Sequence, residues 1–330
     1  MNTFGRLLRL SIFGESHGPS VGISIDGLPA GLPLKEEDFI IDLERRKGGM
    51  QKGTTPRKED DRPVFISGLF NGFSTGAPLT MVFENNNTRS SDYDRTRAIP
   101  RPGHADFVAH AKFGGREDYR GGGHFSGRLT VCLVAAGVVA KKLLGQVSIE
   151  AVLTEAGGEK DIEAGLQKAI AAKDSIGGIV ECRVKGLPVG WGEPFFDSVE
   201  SVISHAVFSI PAIKGIEFGA GFAASRMLGS EHNDAILDAE GRTGTNHAGG
   251  VVGGITNGNE LVFRVVVKPT SSTPREQESY SWETGSVEKF SVKGRHDLCI
   301  ALRVPPVLEA VTALALADLA LIEQRISRVL

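Results

Sequence analysis

Hydrophobic and polar residues alternate in several short stretches of the chain, and apolar residues recur with helical spacing in others. Positions 8–12 and 21–25 alternate on either side of a glycine-flanked turn, which predicts a β-hairpin with His17 at its tip. Residues 36–47 predict a helix, because the first turn is acidic and the last is basic, as the helix dipole favours. Similar patterns predict strands at 64–70, 79–83, 147–153, 178–184, 215–218 and 261–267, and helices at 126–142, 161–173, 197–208 and 306–330.

The chain contains an internal similarity between Gly18–Leu32 and Gly177–Trp191. In each copy a strand pattern ends in Gly-Leu-Pro-x-Gly and leads to the acidic start of a helix, and a Gly-aromatic turn follows that helix. Chance recurrence of a common turn is the alternative, but the matched order of several elements favours duplication. We therefore predict an α+β fold, a β-α-β sandwich with internal pseudo-duplication, formed by a single domain over residues 1–330.

The composition and charge of the chain limit the classes of ligand that it is expected to bind. The 330 residues are 41% hydrophobic and 23% charged, typical of a soluble globular protein. A formal net charge of −3 argues against a general nucleic-acid binder, which needs cations to neutralise phosphates. Residues 44–58 nevertheless carry six basic side chains and one acidic one. A basic patch on a mildly acidic protein suggests a small polyanionic ligand.

The cysteines and the longest apolar runs bear on the cellular location. Cys132, Cys182 and Cys299 are far apart and form no C-x-x-C pair, so neither a disulfide framework nor a zinc ribbon is expected. No secretory signal pattern precedes the first strand. The apolar runs are shorter than the ~20 residues that a membrane helix needs. We expect a cytoplasmic protein without a membrane partner.

The stretch 101–128 contains three histidines, four arginines and a triple glycine. Ser126 is a candidate N-cap for the following apolar helix, whose first turn has no acidic residue. A glycine loop before a helix N-terminus suits an anion such as phosphate, although a tight turn into a core helix has the same pattern.

Three further positions have side chains suited to acid–base chemistry. His17 lies in a turn beside Ser16, where it is either a proton donor or an ordinary exposed histidine. His104 precedes Asp106 closely enough for half of a metal site, but the chain has no H-E-x-x-H pattern. Asp297 follows an arginine and is either an ion-pair partner or a base.

Two polar loops favour a phosphorylated, flat ligand. Residues 268–272 place a lysine, a proline and hydroxyl groups directly after a strand, as a phosphate or flavin side chain requires. The glycines of residues 246–254 allow close approach of the backbone to a flat ring system. Residues 219–224 imitate a dinucleotide fingerprint, but the following segment breaks too soon for the required helix.

Taken together, these motifs resemble the chorismate synthase family and occur in the family's order over nearly the whole chain. The resemblance implies a β-α-β sandwich, a homotetramer and reduced FMN as cofactor. It also implies an anti-1,4-elimination of phosphate from 5-enolpyruvylshikimate 3-phosphate to chorismate, the last step of the shikimate pathway. The matching motifs are Phe13–Gly18, Thr54–Arg57, Arg101–Asp106, Asp118–Gly123, Ser230–Asn233, Asn246–Gly250, Lys268–Ser272 and Gly294–Asp297.

The resemblance also assigns roles. His17 would protonate the departing phosphate, and His104 would hold and protonate the reduced flavin. Asp297, with Ser126 as relay, would take the proton from flavin N5 after the substrate's C6 hydrogen has passed there; Ser16 completes the candidate catalytic set. The implied flavin contacts are His124, Phe125, Ser126, Pro211, Ala212, Gly253, Lys268, Pro269, Thr270, Ser271, Ser272 and Arg295, and the implied substrate contacts are Arg46, Lys52, Arg101 and Arg128.

Some features depart from the family or leave alternatives open. Many members have Arg-Ser-Ser where this chain has His124-Phe125-Ser126, so one cation becomes dependent on pH. No added domain argues for intrinsic flavin reduction, so we expect NADPH only as an indirect source of reductant. Two other classes remain: a metal-dependent phosphohydrolase built on His104, Asp106 and Asp297, and a non-catalytic flavin binder. We expect no resident metal.

Overall fold

A computed structural model describes residues 1–49, 52–55, 59–87, 97–292 and 296–330. The predicted flavin contact Arg295 lies outside these residues, as do parts of the motifs at 54–57 and 294–297. The strands are β1 (Thr3–Phe4), β2 (Arg9–Gly14), β3 (Ser20–Asp26), β4 (Val64–Ser67), β5 (Leu69–Phe70), β6 (Phe73–Ser74), β7 (Leu79–Glu84), β8 (Ser148–Ala156), β9 (Gly178–Lys185), β10 (Ile213–Phe218), β11 (Val251–Val252), β12 (Ile255–Thr256), β13 (Leu261–Val267), β14 (Gln277–Ser281) and β15 (Ser286–Phe290). The helices are α1 (Glu37–Arg46), α2 (Asp106–Phe113), α3 (Thr130–Leu144), α4 (Ile162–Ala172), α5 (Val199–Val207), α6 (Gly229–His232) and α7 (Val304–Ile322).

The two main sheets have the same strand order, which confirms the predicted duplication. The first sheet runs β1-β2-β3-β7-β4 and the second runs β10-β13-β9-β8, all with antiparallel neighbours. Without β1, the orders β2-β3-β7-β4 and β8-β9-β13-β10 correspond strand for strand. The Gly-Leu-Pro turns follow β3 and β9, and the helices α1 and α5 come next. The α+β sandwich prediction is therefore confirmed.

Helices α3 and α7 form the centre of the core. They pack against each other, while α3 also contacts β3 and β7 and α7 contacts β8 and β9. A Cβ atom at Gly137 would lie 2.3 Å from Cβ of Ala310, so only glycine permits this separation of the helices. The two sheets thereby cover opposite sides of one helical layer.

Several predicted bounds differ from the structure for local reasons. The strand predicted at 64–70 is interrupted by Gly68, whose φ of 81° breaks the extended backbone. The last helix ends at Ile322 and not at Leu330, because the tail returns to the first half, where the Leu330 amide donates to the Ala30 carbonyl over 3.0 Å. Before α3, residues 127–129 form a 3-10 turn that Ser126 caps by accepting from the Arg128 amide.

Residues 300–322 require a correction to the argument from apolar run length. By length and composition this segment could cross a membrane, with a mean hydropathy of 1.7. In the structure, however, 89% of the most apolar 18 residues of this segment is buried inside the protein, as expected for the central helix of a layered fold. Its two carboxylates, Glu309 and Asp318, are also buried, at 2% and 3% exposure.

Each of these carboxylates ties the core helix to another part of the chain. Glu309 accepts hydrogen bonds from Arg45 and Lys141 and from the Ala151 amide, at 2.6–3.0 Å. Asp318 accepts three backbone N–H groups of residues 6–8, each at 2.8 Å. Burial acts to raise the pKa of Glu309, but its bond with Arg45 and the charge of Lys141 outweigh this and lower it.

We expect Glu309→Gln to lower the free energy of unfolding by about 2 kcal/mol at neutral pH, because Arg45 and Lys141 lose their counter-charge but, at 40% and 24% exposure, remain partly solvated. The depressed pKa means that the stabilisation is complete above the ordinary value of 4.5 and is lost as pH falls through the lower folded value. Urea unfolding of both proteins should show a difference that shrinks in acid. Glu276→Gln, which affects a surface pair with Lys289, should change stability by no more than about 1 kcal/mol; equal effects of the two variants would contradict the argument.

Candidate active site

A cavity of about 900 Å³ lies where the starts of α3 and α7 meet the loops around residues 101–105, 208–214 and 268–272. This volume is that of a pocket for a cofactor-sized ligand. The structure brings most of the predicted site residues to its walls. These are Arg46, Arg101, His104, His124, Phe125, Ser126, Arg128, Pro211, Ala212, Lys268, Pro269, Thr270, Ser271, Ser272 and Asp297.

Four of the predicted residues that the structure describes do not line the cavity. His17 and Ser16 are buried directly behind the glycine loop, and the Ser16 amide donates to the Gly123 carbonyl over 3.1 Å. Lys52 is half exposed and pairs with Glu163 at 2.8 Å. Gly253 lies in the turn between β11 and β12.

His104, Asp106 and Arg101 form one hydrogen-bonded cluster on the cavity wall. Asp106 accepts from Nδ1 of His104 at 2.6 Å and from Nε and Nη2 of Arg101 at 2.7 and 2.8 Å. Burial acts to raise the pKa of Asp106, but the hydrogen bonds from Arg101 and His104 lower it well below its ordinary value. A carboxylate only accepts, so Nδ1 of His104 carries hydrogen and Nε2 is the atom available for proton exchange.

The triple glycine shapes the wall by allowing close packing of two histidines. Gly121, Gly122 and Gly123 all have positive φ. A Cβ atom at Gly121 would lie 2.2 Å from Nδ1 of His17, and one at Gly122 would lie 3.2 Å from Cε1 of His104. The loop thus separates His17 from the cavity by the thickness of a bare backbone.

His124 follows the triple glycine directly and lines the cavity. Its Nδ1 lies 2.7 Å from the Gly14 carbonyl, which only accepts, so Nδ1 carries hydrogen and the ring is held by the first hairpin. Next to it, the Phe125 ring lies 6.3 Å from that of Phe113 and is 40% exposed. The cavity therefore has a polar edge and an aromatic edge at this point.

The loop 268–272 is clamped to the loop that carries His104. Nζ of Lys268 donates to Oγ of Ser271 at 2.8 Å, and both side chains donate to the Gly103 carbonyl. Burial, with the nearby charge of Lys214, lowers the pKa of Lys268. The Lys268 amide donates to the carbonyl of Ala212 over 2.9 Å, and Ala212 has a φ of 76°, a conformation that costs about 1–2 kcal/mol for a residue with Cβ and is often found at functional sites.

These residues fit a phosphorylated cofactor with a hydroxylated chain. Oγ1 of Thr270 is buried without a hydrogen-bond partner among the described residues, which is uncommon for a hydroxyl group. Lys268 supplies a cation, and Phe125 supplies a flat apolar surface. Among the described residues no group of three or more His, Cys, Asp or Glu could hold a metal, so a metal centre built on His104, Asp106 and Asp297 is not formed there.

Sequence reasoning missed Asp61 and Arg303. Asp61 is buried between Arg46 and Arg128, with its Oδ2 2.6 Å from Nη2 of Arg46. Burial acts to raise the pKa of Asp61, but the two guanidinium charges outweigh this and lower it to about 2. In the sequence, Asp61 belongs to a run of charged residues typical of a solvated loop, so no local signal marks it.

Arg303 holds Asp297 in place. Its Nη1 lies 3.0 Å from Oδ2 of Asp297, and its Nε donates to the Arg46 carbonyl over 2.9 Å. The Thr55 amide also donates to Asp297, over 2.9 Å. Asp297 is therefore an ion-pair partner, which was one of the two roles that the sequence left open. It also lines the cavity, where the second role, that of a base, would require it to be.

Comparison with known proteins matches this arrangement to one family. The sequence model described as chorismate synthase matches residues 8–321. The chain belongs to the chorismate synthase family. It is 72% identical over 330 residues to the chorismate synthase of Chitinophaga pinensis, covering 100% of this chain and 99% of the relative. Members of this family are carbon-oxygen lyases.

More distant members of the chorismate synthase family also match over nearly their whole length. The chain is 45% identical over 360 residues to a chorismate synthase of Dehalococcoides mccartyi, covering 100% of this chain and 99% of the relative. A crystal structure of chorismate synthase superposes with a TM-score of 0.74 at 26% identity, covering 97% of this chain and 93% of the other. Both the fold and the family assignment predicted from the motifs are thus confirmed.

We expect nitrogen-15 NMR of the ligand-free protein to show hydrogen on Nδ1 of His104, with His104→Gln used for assignment. In Asp106→Asn the Nδ1–H tautomer should lose population, because the negative charge is gone and Nη2 of Arg101, 3.0 Å away, can donate to Nδ1 instead. His124 is the internal control, since its Nδ1 bond to Gly14 does not involve Asp106. A His104 Nδ1 without hydrogen in the unsubstituted protein would contradict this assignment.

Proposed function

We propose that this lyase forms chorismate by eliminating phosphate from 5-enolpyruvylshikimate 3-phosphate and that it requires reduced FMN. The observation that carries the proposal is that one cavity combines three buried arginines, Arg46, Arg101 and Arg128, with the clamped loop 268–272. The arginines suit a substrate with two carboxylates and a phosphate, and the loop suits a second phosphorylated ligand.

Arg46 and Arg128 are the proposed substrate grips at the floor of the cavity. Their side chains are only 4% and 3% exposed, so their charges face the cavity with little screening by water. Arg101, bound by Asp106 and by Oγ of Ser272 at 3.1 Å, stands between this floor and loop 268–272. Lys52 remains a proposed contact at the outer rim, where it would exchange its pairing with Glu163 for the substrate.

Residues on the opposite wall would hold FMN. Lys268 and the hydroxyls of Thr270, Ser271 and Ser272 would bind its phosphate and ribityl chain, and His124 to Ser126 with Pro211 and Ala212 would border the ring. When bound, reduced FMN supplies an electron for a difficult elimination and recovers it, so the reaction is redox-neutral. Gly253 and Arg295 remain predicted contacts.

His104 and Asp297 are the proposed proton-handling groups at the cavity. Asp106 fixes Nδ1 of His104 as a donor, which leaves Nε2 to exchange a proton on the cavity side. Arg303 and the Thr55 amide orient Asp297, and Ser126 lines the same cavity as its proposed relay. His17, with Ser16, is proposed as the acid for the departing phosphate, reaching it past the bare backbone of Gly121.

The remaining properties of the protein are proposals from family membership. We propose one domain over residues 1–330, a cytoplasmic homotetramer and a small-molecule substrate without nucleic-acid or membrane partners. NADPH would act only through an external flavin reductant.

Anaerobic phosphate release tests the proposal. Protein with 5-enolpyruvylshikimate 3-phosphate and chemically reduced FMN should release inorganic phosphate and form chorismate, whereas oxidised FMN should give neither product. Adding NADPH to oxidised FMN should not restore turnover without an external reductase. Activity in EDTA should be unchanged. Absence of phosphate release with reduced FMN, or release that needs a metal but no flavin, would reject the proposal.

We expect Asp297→Asn to lower kcat by about 100-fold or more, because the amide cannot take up a proton. The amide keeps an oxygen for Arg303 and the Thr55 amide, so the fold and FMN affinity should remain. Stopped-flow turnover and flavin fluorescence measure the two effects separately. Asp238→Asn, which removes a partly exposed charge paired with the exposed Arg242, is the matched control and should leave both unchanged. A normal rate in Asp297→Asn would remove this residue from the mechanism.

A further inference from the structure

We propose that Asp61 is a positioning residue for the elimination: it holds the guanidinium groups of Arg46 and Arg128 at the separation that the substrate's anionic groups require. This inference rests on the proposed function, because it takes Arg46 and Arg128 as substrate grips.

The geometry of Asp61 is that of a buried bridge. Each of its carboxylate oxygens contacts a different guanidinium, Oδ2 that of Arg46 and Oδ1 that of Arg128. Its side chain has no exposed area, and those of the two arginines are 4% and 3% exposed. Charge-assisted bonds of this kind fix direction as well as distance, so the carboxylate sets the relative orientation of the two forks.

Both arginines keep donors for a ligand after binding Asp61. Arg128 also donates through Nε to Oδ1 of Asn85 at 2.9 Å and through Nη2 to the Glu84 carbonyl at 3.0 Å. Arg46 donates through Nη1 to Oγ1 of Thr130 at 3.2 Å, and its Nε has no partner among the described residues. A guanidinium has five N–H groups, so Asp61 orients the pair without exhausting it.

The charges around the floor explain why such a bridge is needed. Burial lowers the pKa of Arg46 to about 10, and repulsion from Arg303 and Arg128 acts in the same direction, while Asp61 opposes them. Without Asp61, the guanidinium groups of Arg46 and Arg128 would repel each other at low dielectric, and the two side chains would move apart. The substrate would then have to bring them together at the expense of its own affinity.

The backbone at Asp61 determines which substitution tests the idea cleanly. Its φ is 50°, in the left-handed region where aspartate is tolerated and glycine is unstrained, whereas alanine would add strain. Asp61→Gly therefore removes the carboxylate with little disturbance of the chain. It also leaves a space between two cations that a small carboxylate such as formate can occupy.

The experiment measures steady-state kinetics of the full-length protein with reduced FMN. We expect Asp61→Gly to raise KM for 5-enolpyruvylshikimate 3-phosphate by about tenfold or more, with a smaller change in kcat and none in FMN affinity. Formate should lower that KM again in a saturable manner, since it restores the bridge. A purely structural role of Asp61 would not give a formate-dependent KM.

Three variants make the result specific. Asp61→Asn keeps the shape but not the charge, so KM should rise without rescue by formate, and it also serves as the test if the glycine variant does not fold. Arg46→Ala should raise KM and should not respond to formate, because one grip is missing. Asp60→Asn is the matched control. The carboxylate of Asp60, next to Asp61 in the sequence, is 66% exposed and pairs with Arg62, so KM should not change.

The outcomes separate this inference from the proposed function. If the unsubstituted protein releases phosphate but Asp61→Gly and Asp61→Asn both keep its KM, the positioning role is wrong and the function stands. If KM rises in Asp61→Gly and formate does not lower it, the carboxylate of Asp61 does not act as a bridge between the two arginines, and the positioning role is again wrong. If the unsubstituted protein shows no flavin-dependent release, the proposed function itself fails.

Discussion

The close packing of α3 against α7 is the constraint on which the rest of the structure depends. Gly137 of α3 and Ala310 of α7 meet about two turns after the start of each helix. Arg46 connects the two starts, because its Nη1 donates to Oγ1 of Thr130 over 3.2 Å and its carbonyl accepts from Nε of Arg303 over 2.9 Å. Their N-termini therefore open at one place. Arg128 precedes α3 and Arg303 precedes α7, and both line the cavity. The internal duplication thus produces an active site by bringing equivalent helix starts together.

Two adjacent helix N-termini and several arginines create a strongly positive region inside the protein. Neither α3 nor α7 has an acidic residue in its first turn to neutralise it. Instead, Asp61 and Asp297 come from loops and face Arg46, Arg128 and Arg303. Counter-ions on loops leave the helix ends open to a ligand, so the site attracts anions while the empty protein keeps its cations paired.

The sequence predicts those parts of this arrangement that depend on residues close together in the chain. The alternation of apolar and polar residues predicted the hairpin β2–β3, and the repeated Gly-Leu-Pro turns indicated the two halves of the fold. Each of these signals is contained in a short stretch of sequence. The pairing of Asp61 with Arg128 joins positions 67 apart and depends on how the sheet packs on α3. For Lys52 the basic stretch suggested a ligand contact, and the sequence had no local sign of its pairing with Glu163, which lies 111 positions away on α4.

His124 shows how local sequence and tertiary structure together set the chemistry of one wall. An arginine side chain is charged at all physiological pH values, whereas a histidine carries charge only when both ring nitrogens hold hydrogen. The Gly14 carbonyl occupies Nδ1, so any change of charge occurs at Nε2, and the ring itself stays anchored to β2. Phe125 follows with an apolar ring that is 40% exposed. This part of the wall therefore carries no permanent charge, and the fixed cations available to an anionic ligand are those of Arg46, Arg101, Arg128 and Lys268.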